Sequence, residues 1–177
     1  MDDDDILQKI NSAKEQFYSD NQKNTFFKKQ QKFDCASSVM SGLNEMEVFA
    51  NVFMVKENSI VFNYPVFKTV ANPYYYEKMA DYLFLISSQI IDSHGFYNIV
   101  VYCTGITISA VERYKEFVIT VSKRGLNNSK GLLSKLNLVY IYNPPSFVDH
   151  GLKILIPLVD NNLWNKINIV PVEKSAK

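Results

Sequence analysis

The sequence predicts an α/β fold: a single, largely parallel sheet with an N-terminal hairpin and flanking helices, preceded by an N-terminal helical arm. Three observations predict it. Strands alternate with helices through the second half of the chain, the order from which crossover connections build a parallel sheet. The runs Tyr97–Cys103 and Leu136–Tyr142 are almost continuously apolar, as strands covered on both faces are. The 177 residues are 47% hydrophobic, which supplies one sizeable core and requires no second domain.

Taken in order, Asp5 followed by Gln8 offers a helix start in which each side chain can bond back to the turn. Ile6, Ile10, Ala13 and Phe17 then recur at helical spacing, and the stripe fades at Asn21-Gln22-Lys23-Asn24. The segment to about residue 40 reads as a helical, partly detached arm. Met46–Val55 is rich in Val and Phe and reads as a strand; Glu57-Asn58 is a turn signal, and Ile60–Phe67 a second strand, which makes a hairpin. Asn72-Pro73 places a capping side chain before a proline at the first helical position. Met79, Leu83, Ile86 and Ile90 form one face of that helix and Gly95 stops it. After the strand Tyr97–Cys103, Ser109 and Glu112 make a second capping box. Val111, Tyr114, Val118 and Val121 line the inward face of the helix Ala110–Arg124, with Lys123 and Arg124 suited to its carboxyl end and Gly125 terminating it. The strand Leu136–Tyr142 ends at Asn143-Pro144-Pro145; a helix from Ser146 to about Asp160 and a last strand, Ile167–Val172, follow.

Composition narrows the function classes. A net charge of +1 with both signs interspersed argues against nucleic acid as a partner. Two cysteines, Cys35 and Cys103, are too few for a disulfide framework and fit a reducing cytoplasm. The acidic start, Met1-Asp2-Asp3-Asp4-Asp5, lacks the positive charge of a signal peptide. No apolar run approaches the roughly 18 residues of a membrane span. The expectation is a cytoplasmic protein, free or peripheral to a membrane.

The helix at 146–160 is more apolar than a surface helix needs to be. At about 100° per residue, Phe147, Val148, Leu152, Ile154, Leu155, Ile156, Leu158 and Val159 fill an arc of roughly 200°. Asp149, His150, Lys153 and Asp160 crowd the remainder. Such a helix meets apolar material on two sides: the sheet plus a bound lipid, the sheet plus a partner protein, or the sheet plus another helix.

Catalytic signals are weak. His94 and His150 are the only histidines, and neither has metal-ligand spacing around it. Cys103 follows a strand and precedes a helix, yet a phosphatase loop needs an arginine where Ser109 stands. Gly125–Lys130 lacks the second glycine of a phosphate-binding loop, and no G-x-S-x-G elbow occurs. The expectation is that the protein is not an enzyme and carries no cofactor or metal. Phe26-Phe27-Lys28-Lys29, with Lys32 and Phe33, mixes aromatics and lysines as interfacial membrane segments do; a helix that docks its phenylalanines on the domain explains it equally.

The stretch Leu138-Val-Tyr-Ile-Tyr-Asn143-Pro-Pro, the apolar helix with Pro157, then Asp160 and Trp164-Asn165-Lys166-Ile167 resembles the end of a divergent Sec14-like (CRAL-TRIO) lipid-binding domain. There a buried strand runs into an Asn-x-Pro turn, a gate helix carries a proline before its end, and a Lys-Ile pair opens the last strand. The resemblance spans roughly residues 46 to 172 and divides the chain into an arm, 1–42, and a CRAL-TRIO-like domain, 43–177. It implies a gate-like helix at 146–160 closing an apolar pocket floored by the sheet, with Val101, Ile141, Val148, Leu152, Leu155 and Leu158 against the ligand. In members that bind phosphatidylinositol, a lysine at the position of Lys166 contacts the inositol phosphate; Ser134 and Leu163 stand where those members carry glutamate and threonine. The function so implied is non-catalytic binding of a phospholipid or other hydrophobic ligand, in lipid transfer or membrane-linked signalling, with lipid and a transient membrane surface as partners. The second reading is a protein-interaction or homodimerisation module on the same fold.

Overall fold

The protein, seen as a computed structural model, is described over residues 3–127, 131–147, 153–155 and 161–170. Its centre is a five-stranded sheet in the order β1 (Phe53–Lys56), β2 (Ser59–Phe62), β3 (Tyr97–Tyr102), β4 (Leu136–Tyr142) and β5 (Ile167–Val170). The pair β1–β2 is antiparallel and every later pair is parallel, so the fold is α/β with a mostly parallel sheet. Helices α1 (Asp3–Asp20), α2 (Lys28–Ser41) and α3 (Glu45–Val52) precede the sheet. Helices α4 (Tyr64–Val70) and α5 (Tyr76–His94), separated by a 3-10 turn at Pro73–Tyr75, connect β2 to β3. Then α6 (Ile108–Leu126) and α7 (Leu132–Lys135) lead to β4, and α8 (Asn161–Trp164) leads to β5.

The α5 helix is built as its sequence specifies. Asn72 caps the preceding turn by accepting from the Tyr74 amide, Met79, Leu83, Ile86 and Ile90 are buried, and Gly95 closes the helix at φ 80°. Strand β4 occupies the expected residues and ends at Asn143, whose φ of 51° suits an asparagine.

Several expectations are corrected. The arm is helical, but it is not detached: Ile6, Ile10, Phe33, Val39 and Met40 are buried in the main core, with α1 and α2 packed on α3 and α4. An apolar stripe on each helix is more stable against the core than in water. Helix α1 also starts before Asp5, whose carboxylate instead bonds Lys9 at 2.7 Å.

Met46–Val55 is mostly helix, not strand. Asn44 accepts from the Met46 and Glu47 amides, Glu45 and Glu47 lie at the positive end of the helix dipole, and Val48, Phe49 and Val52 share the buried face. Only Phe53–Lys56 pairs, so the hairpin is real but short, turning at Glu57 with φ 54°. Ile60–Phe67 likewise divides, because Asn63 accepts from the Val66 amide and Pro65 fits the first turn of α4.

Helix α6 is capped by Thr107, which accepts from the Ala110 amide, rather than by Ser109. Gly125 does not end it; the glycine lies inside the last turn, where a Cβ would meet the Leu133 side chain at 2.8 Å. Its role is close approach to α7. Finally, β3 is not covered on both faces: Tyr97 and Asn98 are buried, while Tyr102 is 48% exposed and stacks on Tyr142 at 5.3 Å. The helix expected from Ser146 does not begin there, since Ser146 and Phe147 form a turn; 153–155 are helical, and the rest of 146–160 falls outside the described residues. The last two residues of the expected strand Ile167–Val172 also lie outside them.

Candidate functional site

The alternation of side chains along each strand sends one set of residues to a common face. Register carries it across the sheet: Ile60 pairs with Ile99, Ile99 with Val139, and Val139 with Ile167. One rung along, Phe53 pairs with Phe62, Phe62 with Val101, and Val101 with Ile141. All of these residues line a cavity of about 340 Å³. Its opposite wall is α6, which contributes Val111, Tyr114, Phe117, Val118 and Val121 from successive turns. Further walls come from Phe67 of α4, Leu83 and Phe84 of α5, Leu133 of α7, and Leu163 and Trp164 of α8. Phe147 and Leu155, from the two ends of the apolar 147–155 stretch, complete it.

Aromatic rings hold the wall at the β1–β2 side: Phe67 lies 4.9 Å from Phe62, 5.1 Å from Tyr114 and 5.0 Å from Phe117, between ring centroids. Such contacts fix ring orientation beyond what burial alone would do. Among the described residues, none that lines the cavity carries a formal charge. The polar atoms present are hydroxyls, one thiol and one indole nitrogen. Burial pushes the Cys103 thiol up, away from a thiolate nucleophile. Burial also pushes the Tyr97 hydroxyl up to about 12, against a smaller opposing effect of Ser87. The Tyr114 hydroxyl is raised by burial, opposed by Arg113, and donates to the Lys68 carbonyl at 3.1 Å. Among the described residues there is no cluster of His, Cys, Asp and Glu able to hold a metal. The chemistry available is exclusion of water and dispersion contact, with few polar anchors.

Of the residues assigned to ligand contact from the sequence, Val101, Ile141 and Leu155 line the cavity together. Val148, Leu152 and Leu158 lie outside the described residues. Lys166 stands elsewhere. Its ammonium donates to the Leu133 carbonyl at 3.1 Å and to the Leu136 carbonyl, tying β5 to the α7–β4 corner, and it is not among the described lining residues. Ser134 likewise turns back to the Gly131 carbonyl at 2.6 Å. Leu163, by contrast, lines the cavity.

The wall residues missing from the sequence assignment had a signal. Ile99 and Val139 lie two residues before Val101 and Ile141, so the same strand period carries them to the same face. Phe53 and Phe62 were hidden behind a misplaced strand boundary. His94 lies at the carboxyl end of α5, away from this lining.

The chain matches no model of a known protein family and no curated protein sequence.

Proposed function

We propose that this protein binds a hydrophobic ligand, without catalysis, in the cavity between its sheet and α6. The observation that carries the reading is a built cavity of about 340 Å³ whose described walls are uncharged. Ligand pockets are concave, mostly apolar and about 300–1,000 Å³ in volume, so this one suits a compact or single-chain hydrophobe. An interior that served only stability would close such a space, because each unfilled void forfeits dispersion contacts.

The Sec14-like reading is compatible with this site: a mostly parallel sheet floors the cavity, and Phe147 and Leu155 from the gate-like segment reach it. Lipid transfer or membrane-linked signalling in the cytoplasm is the proposed setting. Phosphatidylinositol recognition through Lys166 is not part of the proposal, since that ammonium already serves two backbone carbonyls.

Trp164, the single tryptophan of the sequence, lines the cavity and supplies the test. Titration with a brominated fatty acid should quench its fluorescence saturably, and Val139→Trp, which fills the cavity, should abolish uptake while preserving the fold. Organic extraction of the purified protein should yield a stoichiometric hydrophobe. No extractable ligand, no quenching, and a Val139→Trp variant that is simply more stable would overturn the reading.

A second reading, a dimerisation or protein-interaction module, has its own support. The other face of the sheet presents Tyr102, Tyr140 and Tyr142 as a stacked, partly exposed ladder. A concentration-dependent dimer by light scattering, lost in Tyr102→Asp, would favour it.

A further inference from the structure

The turn between α1 and α2 exposes two large apolar side chains that nothing in the core requires. Phe26 is 91% exposed and Phe27 70%. The turn is nevertheless well braced. Asn24 accepts from the Phe26 and Phe27 amides, both at 2.8 Å, while its own amide donates to Gln31 at 2.8 Å and Gln31 donates back to the Gln22 carbonyl at 2.8 Å. Phe33, one turn into α2, is buried instead. The local sequence therefore separates a phenylalanine that anchors the helix from two that it displays.

A band of cations adjoins this tip. Lys28 and Lys32 are exposed at i and i+4 on α2, hence on one face. Half-buried Lys14 of α1, exposed Lys68 of α4 and half-buried Arg113 of α6 lie within electrostatic reach of Lys32. Lys68 lies over the Tyr64 ring at 5.6 Å, and the Arg113 guanidinium over the Tyr114 ring at 5.5 Å. Asp20 and Asp34 accept from Gln16 and Gln30 at 2.8 Å, and Glu112 of α6 pairs with Lys115 at 3.0 Å. Burial lowers the Lys32 pKa, and Arg113, Lys68, Lys14 and Lys28 each lower it further.

We infer that this surface docks on an anionic bilayer, with Phe26 and Phe27 inserted at the interface and Lys14, Lys28, Lys32, Lys68 and Arg113 against lipid phosphates. Neighbouring cations are accommodated by an extended anionic surface, and exposed aromatics beside lysines suit the headgroup boundary. Charge complementarity alone would also suit a nucleic acid; the displayed phenylalanine pair favours a bilayer. The inference goes beyond ligand binding in the cavity and does not depend on it, although Tyr64 and Tyr114 border both surfaces.

The test is sedimentation of the full chain with phosphatidylcholine vesicles, with and without phosphatidylserine. Binding should require phosphatidylserine and weaken with added salt. Lys28→Gln with Lys32→Gln should lower partitioning by roughly thirtyfold. Phe26→Ala with Phe27→Ala should lower it by at least about tenfold, with the circular dichroism and melting curve unchanged because both rings are exposed. Lys56→Gln with Lys135→Gln removes the same charge at two exposed positions elsewhere and should change nothing. Equal binding to phosphatidylcholine alone, equal loss in that control pair, no sedimentation at all, or binding of duplex RNA through the same lysines would overturn the inference.

Discussion

Lys166 shows how a residue's chemistry is decided by what lies within reach of its terminal atom. Its ammonium bonds the Leu133 and Leu136 carbonyls, so Lys166→Met leaves two backbone acceptors without their donor. The expected cost is about 1–3 kcal/mol in urea unfolding; a variant of unchanged stability that lost phosphoinositide binding would restore a head-group role. A buried tyrosine sets the alkaline limit in the same way. Tyr97 has its hydroxyl held at about 12 by burial, above the ordinary 10 it recovers on unfolding. Only the unfolded chain releases that proton between these values, so stability present below pH 10 falls as pH rises toward 12. The slope is at most about 1.4 kcal/mol per pH unit for this group. Tyr76, raised further by burial, adds to the fall in the same direction. Tyr97→Phe should flatten the alkaline limb of a stability–pH curve.

Among elements, Asn72 ties α2 to the turn at Pro73–Tyr75. Asn72 caps that turn through its oxygen and, through its nitrogen, donates to the Phe33 carbonyl at 3.0 Å and the Ser37 hydroxyl at 2.9 Å. Asn72→Ala removes all three bonds and should cost about 1–2 kcal/mol. Asn72→Asp keeps the capping oxygen and loses the donors, so chemical denaturation should place it between wild type and alanine. An aspartate as damaging as alanine would mean that the cap contributes nothing. The sequence marked Asn72 as a cap because capping is local; its bonds to α2 span 35 and 39 residues and left no trace in the neighbouring sequence. The same asymmetry explains Met46–Val55. Its Val and Phe residues suit either a strand or a helix face, and the outcome turned on Asn44 bonding two amides.

For the whole molecule, the arm and the sheet share one hydrophobic core. Ile6, Ile10, Phe33, Val39 and Met40 share a core with Val48, Phe67 and Met79. A chain beginning at residue 43 should therefore lose its cooperative melting transition and bind hydrophobic dyes, as measured by calorimetry and dye fluorescence. A truncated chain that melts sharply would show the arm to be dispensable. This unity matters for the site, because α4, which α2 packs against, places Phe67 in the cavity wall.

By itself the sequence determined the α/β class, the parallel half of the sheet, and the helices α5 and α6. These depend on period and on local stop signals, which a chain displays in its own neighbourhood. Only the tertiary structure decided that the arm is docked, that the first predicted strand is mostly a helix, and that Lys166 is spent on backbone carbonyls. It also decided that Phe26 and Phe27 face outward while Phe33 is buried. Each of these is a choice between partners that suit a side chain equally well in isolation, and it is made by whichever atoms the fold brings near.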